Sequence, residues 1–434
     1  MKLVGVLLSI AALTAAASVN VSLSDFSPGT TGIPEGWTTW APRPEIAPVT
    51  FVDPVQGHLK PGSLAISGNS NPAAYGGWVY TVRGIEPGKW YRFTAYYRTW
   101  GRLYETLQVV ASLNWTDAEG KRAGQPNFAW HTVSEGLWKK VTLEAPAPER
   151  AAGVKLQLYL KNAAQATVWW DDISLVEIPT PASRLVSIAT VNCRPSNTRT
   201  PANSVKVFLD TIEKTVPPKT DIILLPEGIT IIGTGKKYAE VAEPIPGPTT
   251  TALSAAAKRR RCYIVAGIYE LEGKTVYNTA VLIDRNGNVA GKYRKVYIPR
   301  EEMESGITPG DDYPVFETDF GKIGMMICWD AQFADPARAL ALRGAEIVFV
   351  PIWGGNQTLG KARAIENQIF VVTSGYDYPT YIMDPQGEIL VKATENGTAA
   401  VGTIDLSRPY VEKWLGNMRE RFMKELRVDL PVER

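Results

Sequence analysis

Histidine is nearly absent from this sequence. The 434 residues include two histidines, His58 and His131, and no histidine follows position 131. A cysteine–histidine dyad and a histidine-bearing zinc site each need at least one imidazole group. Both kinds of site are therefore excluded from the part of the chain that follows His131.

Cysteine and net charge are also scarce. The cysteines Cys193, Cys262 and Cys328 are too few and too scattered for a disulfide scaffold, and their odd number leaves at least one thiol free. The 46 basic and 44 acidic residues nearly cancel, with a formal net charge of +2. This balance gives no electrostatic reason to expect binding to an anionic membrane or to nucleic acid, and we predict no nucleic-acid partner.

The apolar stretch that comes nearest to the length of a membrane span lies at the N-terminus. The sequence MKLVGVLLSIAALTAAAS places Lys2 before an apolar run from Leu3 to Leu13, which small residues follow. This order is typical of a secretory signal peptide, and the run is short for a membrane span. We predict a signal peptide over residues 1–17 and a secreted or periplasmic mature protein. An uncleaved anchor and a buried first strand are the alternatives.

Residues 18–178 are rich in aromatic side chains. A chain of 434 residues exceeds one ordinary domain core, and ten of its thirteen tryptophans lie in this first part. Segments such as KWYRFTAYYRT and TVWWDDISLVEI alternate in polarity and are separated by turn residues. This pattern predicts an antiparallel β-sandwich over residues 18–178.

The first domain resembles a known group of sandwiches. GGWVYTVRGIEPGKWYRFTAYYR and VWWDDISLVE are similar to the galactose-binding-like jelly rolls of carbohydrate-binding modules. The resemblance implies a jelly-roll fold and a glycan as ligand, since exposed tryptophan rings stack on sugars. The alternative is that the rings fill the core, which the alternation favours for at least half of them. The rings concerned are Trp90, Trp138, Trp169 and Trp170.

A proline-bearing linker, IPTPASR, separates this domain from a different pattern. In residues 184–406, apolar runs such as DIILLPEG and AEIVFVPIW alternate with helical stretches, which predicts an α/β domain. The tail, residues 407–434, carries apolar residues spaced by four and is expected to form an amphipathic helix. Such a helix could dock on a partner subunit, and we predict a homo-oligomer. These residues are Trp414, Met418, Phe422 and Leu426.

Cys328 lies where chemistry is expected. It follows the apolar run IGMMI and precedes an Asp335–Pro336 helix start, so its thiol lies at the carboxyl end of a strand. A thiol with a pKa of about 8.5 needs a base or a positive field in order to react. Without histidine, the partners must be carboxylate and lysine. Glu227, which closes LLPEG, and Lys295, in GKYRKVYIP, supply both groups.

These three segments resemble one enzyme family. LLPEG, GKYRKVYIP and FGKIGMMICWD are similar, in this order, to motifs of the nitrilase superfamily of carbon–nitrogen hydrolases. The resemblance implies a four-layer α-β-β-α sandwich with no metal or organic cofactor. It also implies that Cys328 is the nucleophile, Glu227 the general base and acid, and Lys295 the stabiliser of the tetrahedral intermediate.

The resemblance extends to supporting groups. The backbone N–H of Trp329 is expected to be a second oxyanion donor. Many family members have an additional glutamate after the lysine, and Glu304 is the preferred candidate, with Glu302 as the alternative. Asp330, directly after Cys-Trp, is closer to the amidase and carbamoylase branches than to the nitrilases.

We therefore expect a secreted hydrolase of a small-molecule linear amide or N-carbamoyl amine that works through a cysteine thioester. Two alternatives remain at this stage. One is a glycan-binding protein with a vestigial enzyme domain, which the intact Glu227, Lys295 and Cys328 set disfavours. The other is an acyltransferase that uses the same three residues.

Overall fold

The structure is a computed structural model that describes residues 19–27 and 32–430. The expected signal peptide, residues 1–17, lies outside the described residues. Within the described ranges, no helix combines the length and the apolar character that crossing a membrane requires. The chain divides into two compact units. The described residues up to Pro181 join those from Glu412 onward in the first unit, and Ala182–Val411 form the second.

The first unit is built almost entirely from strands. Its described residues before position 182 form a short helix, α1 (Glu105–Gln108), and a 3-10 turn, Pro44–Ile46. They also form β1 (Asn20–Leu23), β2 (Trp37–Trp40), β3 (Val49–Asp53), β4 (Ser63–Ser67), β5 (Tyr75–Arg83), β6 (Trp90–Gly101), β7 (Val109–Thr116), β8 (Asn127–Ala129), β9 (His131–Glu135), β10 (Trp138–Pro146), β11 (Gly153–Lys161) and β12 (Ala166–Ile178).

Two antiparallel sheets share the core of this unit. The larger runs β3-β4-β12-β6-β10-β9, with β1 beside β12, and the smaller runs β2-β5-β11-β7-β8. Trp78, Trp115 and Trp170 are fully buried between them because alternate residues of each strand point inward. Trp138 is buried against the His58 ring, with centroids 5.7 Å apart. Five of the ten tryptophans before position 182 are therefore buried, Trp90 and Trp169 are partly buried, and Trp100 is 68% exposed.

The second unit mixes strands with helices. Its helices are α2 (Pro201–Thr215), α3 (Tyr238–Val241), α4 (Pro248–Arg260), α5 (Arg300–Glu304), α6 (Asp335–Leu342) and α7 (Gln357–Asn367). Its strands are β13 (Leu185–Asn192), β14 (Ile222–Leu224), β15 (Tyr263–Glu272), β16 (Thr275–Ile283), β17 (Val289–Arg294), β18 (Ile307–Thr308), β19 (Val315–Glu317), β20 (Lys322–Met325), β21 (Ile347–Pro351), β22 (Phe370–Ser374), β23 (Thr380–Met383), β24 (Ile389–Ala393) and β25 (Thr398–Asp405).

Two mixed sheets form the centre of the second unit. One runs β17-β16-β15-β14-β13-β25 with β18 beside β16, and the other runs β19-β20-β21-β22-β23-β24. Buried hydroxyls join them: Thr190 donates to the Thr373 carbonyl and Ser374 to the Val191 carbonyl, both at 2.6 Å. Helices α2 and α4 pack on the first sheet, whereas α6 contacts β20 and α7 contacts β22.

The tail returns to the first unit. It forms β26 (Val411–Glu412), β27 (Gly416–Asn417) and α8 (Met418–Glu425), and α8 contacts α1 and β8. The carboxylate of Glu420 accepts a hydrogen bond from the Phe128 N–H at 2.8 Å, and Lys424 Nζ donates to the Val109 carbonyl at 3.0 Å. The sequence suggested docking on a partner subunit. Within this chain, Glu420 and Lys424 have their partners on strands of the first unit, and docking on a partner subunit stays a prediction.

Candidate active site

Cys328 lies in a strained turn at the end of a strand. β20 ends at Met325, and Cys328 opens a short 3-10 turn, Cys328–Gln332. Its φ angle of 43° is left-handed, which costs a non-glycine residue on the order of 1–3 kcal/mol. The thiol donates a long hydrogen bond, 3.5 Å, to the carbonyl of Gly354 beyond β21. The backbone, more than any strong side-chain bond, therefore holds the sulfur in place.

The surroundings of Cys328 keep its thiol protonated at rest. Burial raises the pKa of Cys328 to about 12, the negative charge of Glu227 acts in the same direction, and Lys295 opposes both. A protonated thiol is a weak nucleophile. If Cys328 attacks a substrate, a nearby base must therefore take its proton.

Glu227 is held from several sides just beyond β14. Its carboxylate oxygen Oε1 accepts hydrogen bonds from Lys295 Nζ at 3.0 Å and from Asn278 Nδ2 at 2.7 Å. Its backbone carbonyl accepts one from the Tyr376 hydroxyl at 3.0 Å. The residue is 2% exposed, as expected for a carboxylate that follows an apolar run. A side chain so fixed and so shielded from water suits proton transfer.

Glycine at position 267 permits this arrangement. A Cβ atom on Gly267, in the neighbouring strand β15, would lie 2.7 Å from the Cα atom of Glu227. The Gly267 N–H donates to the Pro226 carbonyl at 3.1 Å, and its carbonyl accepts from the Ile229 N–H at 2.9 Å. The absence of a side chain therefore lets the backbone of β15 approach and hydrogen-bond the turn that carries Glu227.

Lys295 is a buried cation between two carboxylates. It is 1% exposed, and its Nζ lies 3.0 Å from Glu227 Oε1 and 2.7 Å from Glu302 Oε1. Burial alone would lower the pKa of Lys295, but the negative charges of Glu227 and Glu302 outweigh it and raise that pKa. The lysine therefore remains an ammonium, as stabilisation of an oxyanion requires.

Of the two candidates for an additional glutamate, Glu302 lies beside Lys295, whereas the preferred candidate Glu304 lies beside Arg300. Residues two apart on a helix point in different directions, and α5 turns Glu302 inward and Glu304 outward. The side chain of Glu304 is 68% exposed, and its carboxylate lies 3.6 Å from Arg300 at the cavity rim. Burial raises the pKa of Glu302, Lys295 lowers it, Glu227 raises it, and the net shift is upward.

The residues after Cys328 divide into one exposed and one buried side chain. The Trp329 ring is 41% exposed and lines the cavity, and its backbone N–H belongs to the same turn as Cys328. Asp330 is fully buried and accepts from the Tyr293 hydroxyl at 2.7 Å and from the backbone N–H groups of Ile327 and Tyr297 at 2.8 and 2.9 Å. Burial raises the pKa of Asp330 to about 6. Asp330 thus ties the cysteine turn to the segment that carries Lys295.

All three predicted catalytic side chains face one cavity of about 840 Å³. Other parts of its wall come from Glu302, Tyr238, Tyr269, Trp329 and Trp353. Across the described part of the chain, no group of three or more histidine, cysteine, aspartate or glutamate side chains could hold a metal ion. Cys193 and Cys262 are buried free thiols that do not line this cavity.

Asn278 is the residue of this cluster that the sequence analysis missed. Its side chain bridges Glu227 and Glu302 from within β16. The signal was present in the segment TVYNTAVLI, where one amide interrupts a mostly apolar strand. A buried amide must find hydrogen-bond partners, so such an interruption indicates a polar cluster.

Comparisons with known proteins identify relatives of the second unit. The family model of carbon-nitrogen hydrolases matches residues 187–414. A Schizosaccharomyces pombe protein described as a probable nitrilase is 35% identical over 210 residues, which cover 44% of this chain and 77% of that protein. Omega-amidase NIT2 of Homo sapiens is 31% identical over 214 residues, 43% of this chain and 77% of the relative.

Among solved structures, Saccharomyces cerevisiae Nit3, a member of branch 10 of the nitrilase superfamily, is 22% identical. The match has a TM-score of 0.46 and covers 51% of this chain and 90% of that chain. The family model spans more than half of the present chain, and the predicted enzyme class, an amidase-type hydrolase of non-peptide carbon–nitrogen bonds, is confirmed. The chain belongs to the carbon–nitrogen hydrolase family.

Proposed function

We propose that this protein hydrolyses a linear amide or an N-carbamoyl amine of a small molecule, with Glu227, Lys295 and Cys328 as its catalytic residues. The observation that carries the proposal is the convergence of these side chains on one cavity, with Lys295 Nζ 3.0 Å from Glu227 Oε1. The omega-amidase relatives favour a small amide as the substrate.

The first half of the reaction forms a thioester. The sulfur of Cys328 attacks the carbonyl carbon while its proton passes to Glu227, because the pKa of the thiol is too high for spontaneous ionisation near neutrality. The carbonyl oxygen becomes an oxyanion, which the Lys295 ammonium and the Trp329 N–H stabilise. Glu227 returns the proton to the leaving nitrogen as the C–N bond breaks.

The second half releases the acid. Glu227, again a carboxylate, takes a proton from water as the oxygen attacks the thioester carbon. The tetrahedral intermediate collapses, the C–S bond breaks, and the sulfur regains a proton from Glu227. The same carboxylate thus serves as base and acid in both halves. The proposed reaction uses no metal or organic cofactor.

A substrate panel tests the proposal. Linear amides, N-carbamoyl amines and nitriles are supplied to the wild type and to Cys328→Ala, and ammonia release is measured. We expect turnover of an amide or carbamoyl amine by the wild type and none by Cys328→Ala. Cys262→Ala is the matched control, because Cys262 is a buried thiol outside the cavity. Turnover by Cys328→Ala would overturn the proposal.

The same assay separates hydrolysis from acyl transfer. The thioester can pass its acyl group to water or to an amine, and the cavity has room for either acceptor. We propose water. Acceptor amines added to the reaction should leave the yield of free acid unchanged. Loss of the acid in favour of a new amide would identify an acyltransferase.

We propose the remaining architecture and location in the same way. Contacts between the two mixed sheets and the outer helices support a four-layer α-β-β-α catalytic domain, and the two antiparallel sheets support a galactose-binding-like jelly roll.

The exposed Trp100 supports glycan binding by the first domain. Binding of the wild type to a glycan array, and its loss in Trp100→Ala, would test this. We also propose export and homo-oligomerisation, tested by the N-terminal residue of the exported protein and by its mass in solution.

A further inference from the structure

Asn278 bonds both carboxylates of the cluster through its side chain and the backbone of Lys295 through its carbonyl. Its Nδ2 donates to Glu227 Oε1 at 2.7 Å and to Glu302 Oε2 at 3.3 Å. Its backbone carbonyl accepts a hydrogen bond from the backbone N–H of Lys295 at 2.8 Å. Its side-chain oxygen Oδ1 is buried without a hydrogen-bond partner among the described residues. The side-chain amide is therefore oriented with its NH2 group toward the two carboxylates, and its oxygen is left without a hydrogen bond.

The two carboxylates are bonded unequally. Both oxygens of Glu302 accept hydrogen bonds, Oε1 from Lys295 Nζ at 2.7 Å and Oε2 from Asn278. In Glu227, Oε1 alone accepts, from Lys295 and Asn278 together. No described residue donates a hydrogen bond to Glu227 Oε2. Since an oxygen that faces N–H donors is poorly placed to receive a proton, Glu227 Oε2 is left for that role.

We infer that Asn278 is a positioning residue that assigns proton transfer to Glu227 Oε2 by occupying Glu227 Oε1 and Glu302 Oε2. The inference rests on the proposed function. As the S–C bond forms, the Cys328 proton moves to Oε2, and it leaves Oε2 for the departing nitrogen when the C–N bond breaks. Glu302 stays a hydrogen-bond acceptor throughout and holds the ammonium of Lys295.

Asn278→Asp tests this assignment because it keeps the shape of the side chain and replaces the donor with an acceptor. We expect kcat to fall about a hundredfold, the lower part of the range that general acid–base catalysis supplies. KM should change little, since Asn278 does not line the cavity. The acidic limb of the pH–rate profile should move to higher pH, because the two carboxylates lose their shared donor.

Two further variants complete the experiment. Asn278→Ser keeps a single hydroxyl donor, which can serve one carboxylate at a time, and should be intermediate in kcat. Asn286→Asp makes the same chemical change at an exposed position in the turn after β16 and should leave kcat and the pH profile unchanged. Thermal unfolding and stoichiometric alkylation of Cys328 by iodoacetamide show whether each variant is folded with its site intact.

The outcomes are distinct. Asn278→Asp with an unchanged kcat and pH profile beside an active wild type would overturn the assignment alone. So would a loss confined to KM. Failure of Asn278→Asp to fold, with wild-type kcat and pH profile in a folded Asn278→Ser, would also overturn it. A wild type that releases no ammonia from any member of the panel would overturn the proposed function and, with it, this assignment.

Discussion

The protein buries a lysine and a glutamate in two places, and the two surroundings differ. In the cavity, Lys295 lies between two carboxylates that accept its hydrogen bonds. On α8, Lys424 donates to the Val109 carbonyl, and Glu420 accepts from Asn127 and the Phe128 N–H. The first lysine thus has charged partners, whereas the partners of the second are neutral.

The two environments move the lysine pKa values in opposite directions. Burial lowers the pKa of Lys424 to about 8, and the distant charge of Glu105 offsets little of this. Around Lys295 the neighbouring negative charges outweigh burial and raise the pKa. A buried ammonium that is kept charged suits chemistry, because it can meet an oxyanion without reorganisation. A buried lysine whose charged form is disfavoured, such as Lys424, is suited to a structural role.

The largest predicted effect comes from removing Lys295. Lys295→Met leaves Glu227 and Glu302 buried side by side without a cation. We expect kcat to fall at least about a hundredfold through loss of the oxyanion donor, and stability to fall by about 3–5 kcal/mol because the charges are unpaired. The measurements are ammonia release and urea unfolding.

Lys424→Met is the matched control for this prediction. It replaces a buried ammonium with an apolar chain of similar length and leaves one carbonyl, that of Val109, without this donor. Its kcat should match that of the wild type, and its stability should change by about 1 kcal/mol. Equal losses of activity in the two variants would show that the two lysines play the same, structural part.

A smaller effect is predicted at Gly267, which supports Glu227 from the neighbouring strand. In Gly267→Ala the new Cβ meets backbone atoms of Pro226 and Glu227, so the turn that carries the carboxylate must move. A displacement near 1 Å can cost about a hundredfold in rate, and we expect a loss of kcat up to that size. No site near α8 depends on Gly267, so the tail should remain docked.

Gly402→Ala is the control for backbone crowding. The three atoms nearest to a Cβ at Gly402 in β25 would all be side-chain atoms, of Val391 and Ile382, which can shift. Kinetics and thermal unfolding of both variants check the prediction. Full activity in Gly267→Ala would mean that the Glu227 turn tolerates displacement.

Some residues of the cavity cluster could be predicted from the sequence and others could not, for physical reasons. Glu227 and Cys328 each follow an apolar run, and Lys295 directly follows β17. Because strand ends of one domain converge, their proximity could be predicted. Whether Glu302 or Glu304 turns inward depends on the start of α5, which propensity does not fix to one residue. Asn278 escaped notice because its partners lie 51 and 24 positions away in the chain.

The tail illustrates the same limit. Its apolar spacing predicted a helix, and α8 is present as Met418–Glu425. The partner of this helix could not be read from the pattern, because an amphipathic face fits any complementary surface. The choice rests on buried polar groups: Glu420 and Lys424 find donors and acceptors on strands of the first unit.

The smallest predicted effect is a pH dependence of α8 docking. Burial raises the pKa of Glu420 from 4.5 to about 7, so the folded state holds this proton more tightly than the unfolded state. The stability from Glu420 is fully present below pH 4.5 and is lost as the pH rises to 7. The lowered pKa of Lys424 acts in the opposite sense, and stability rises between pH 8 and 10.5. Docking should therefore be weakest between pH 7 and 8.

Glu420→Gln isolates the acidic part of this dependence. The amide keeps an acceptor for the Phe128 N–H but no charge to bury, so at pH 7.5 the variant should hold α8 more firmly than the wild type, by about 3 kcal/mol at most. Below pH 4.5 the two proteins should be alike.

Hydrogen exchange of the α8 amides, measured as a function of pH, reports the difference. Glu425→Gln is the control because that exposed carboxylate pairs with Arg421. Ammonia release should be unchanged in both variants, since neither residue lines the cavity. A pH-independent gain in Glu420→Gln would trace the effect to packing, and the contrast between the two buried lysine–glutamate sets would then rest on the lysines alone.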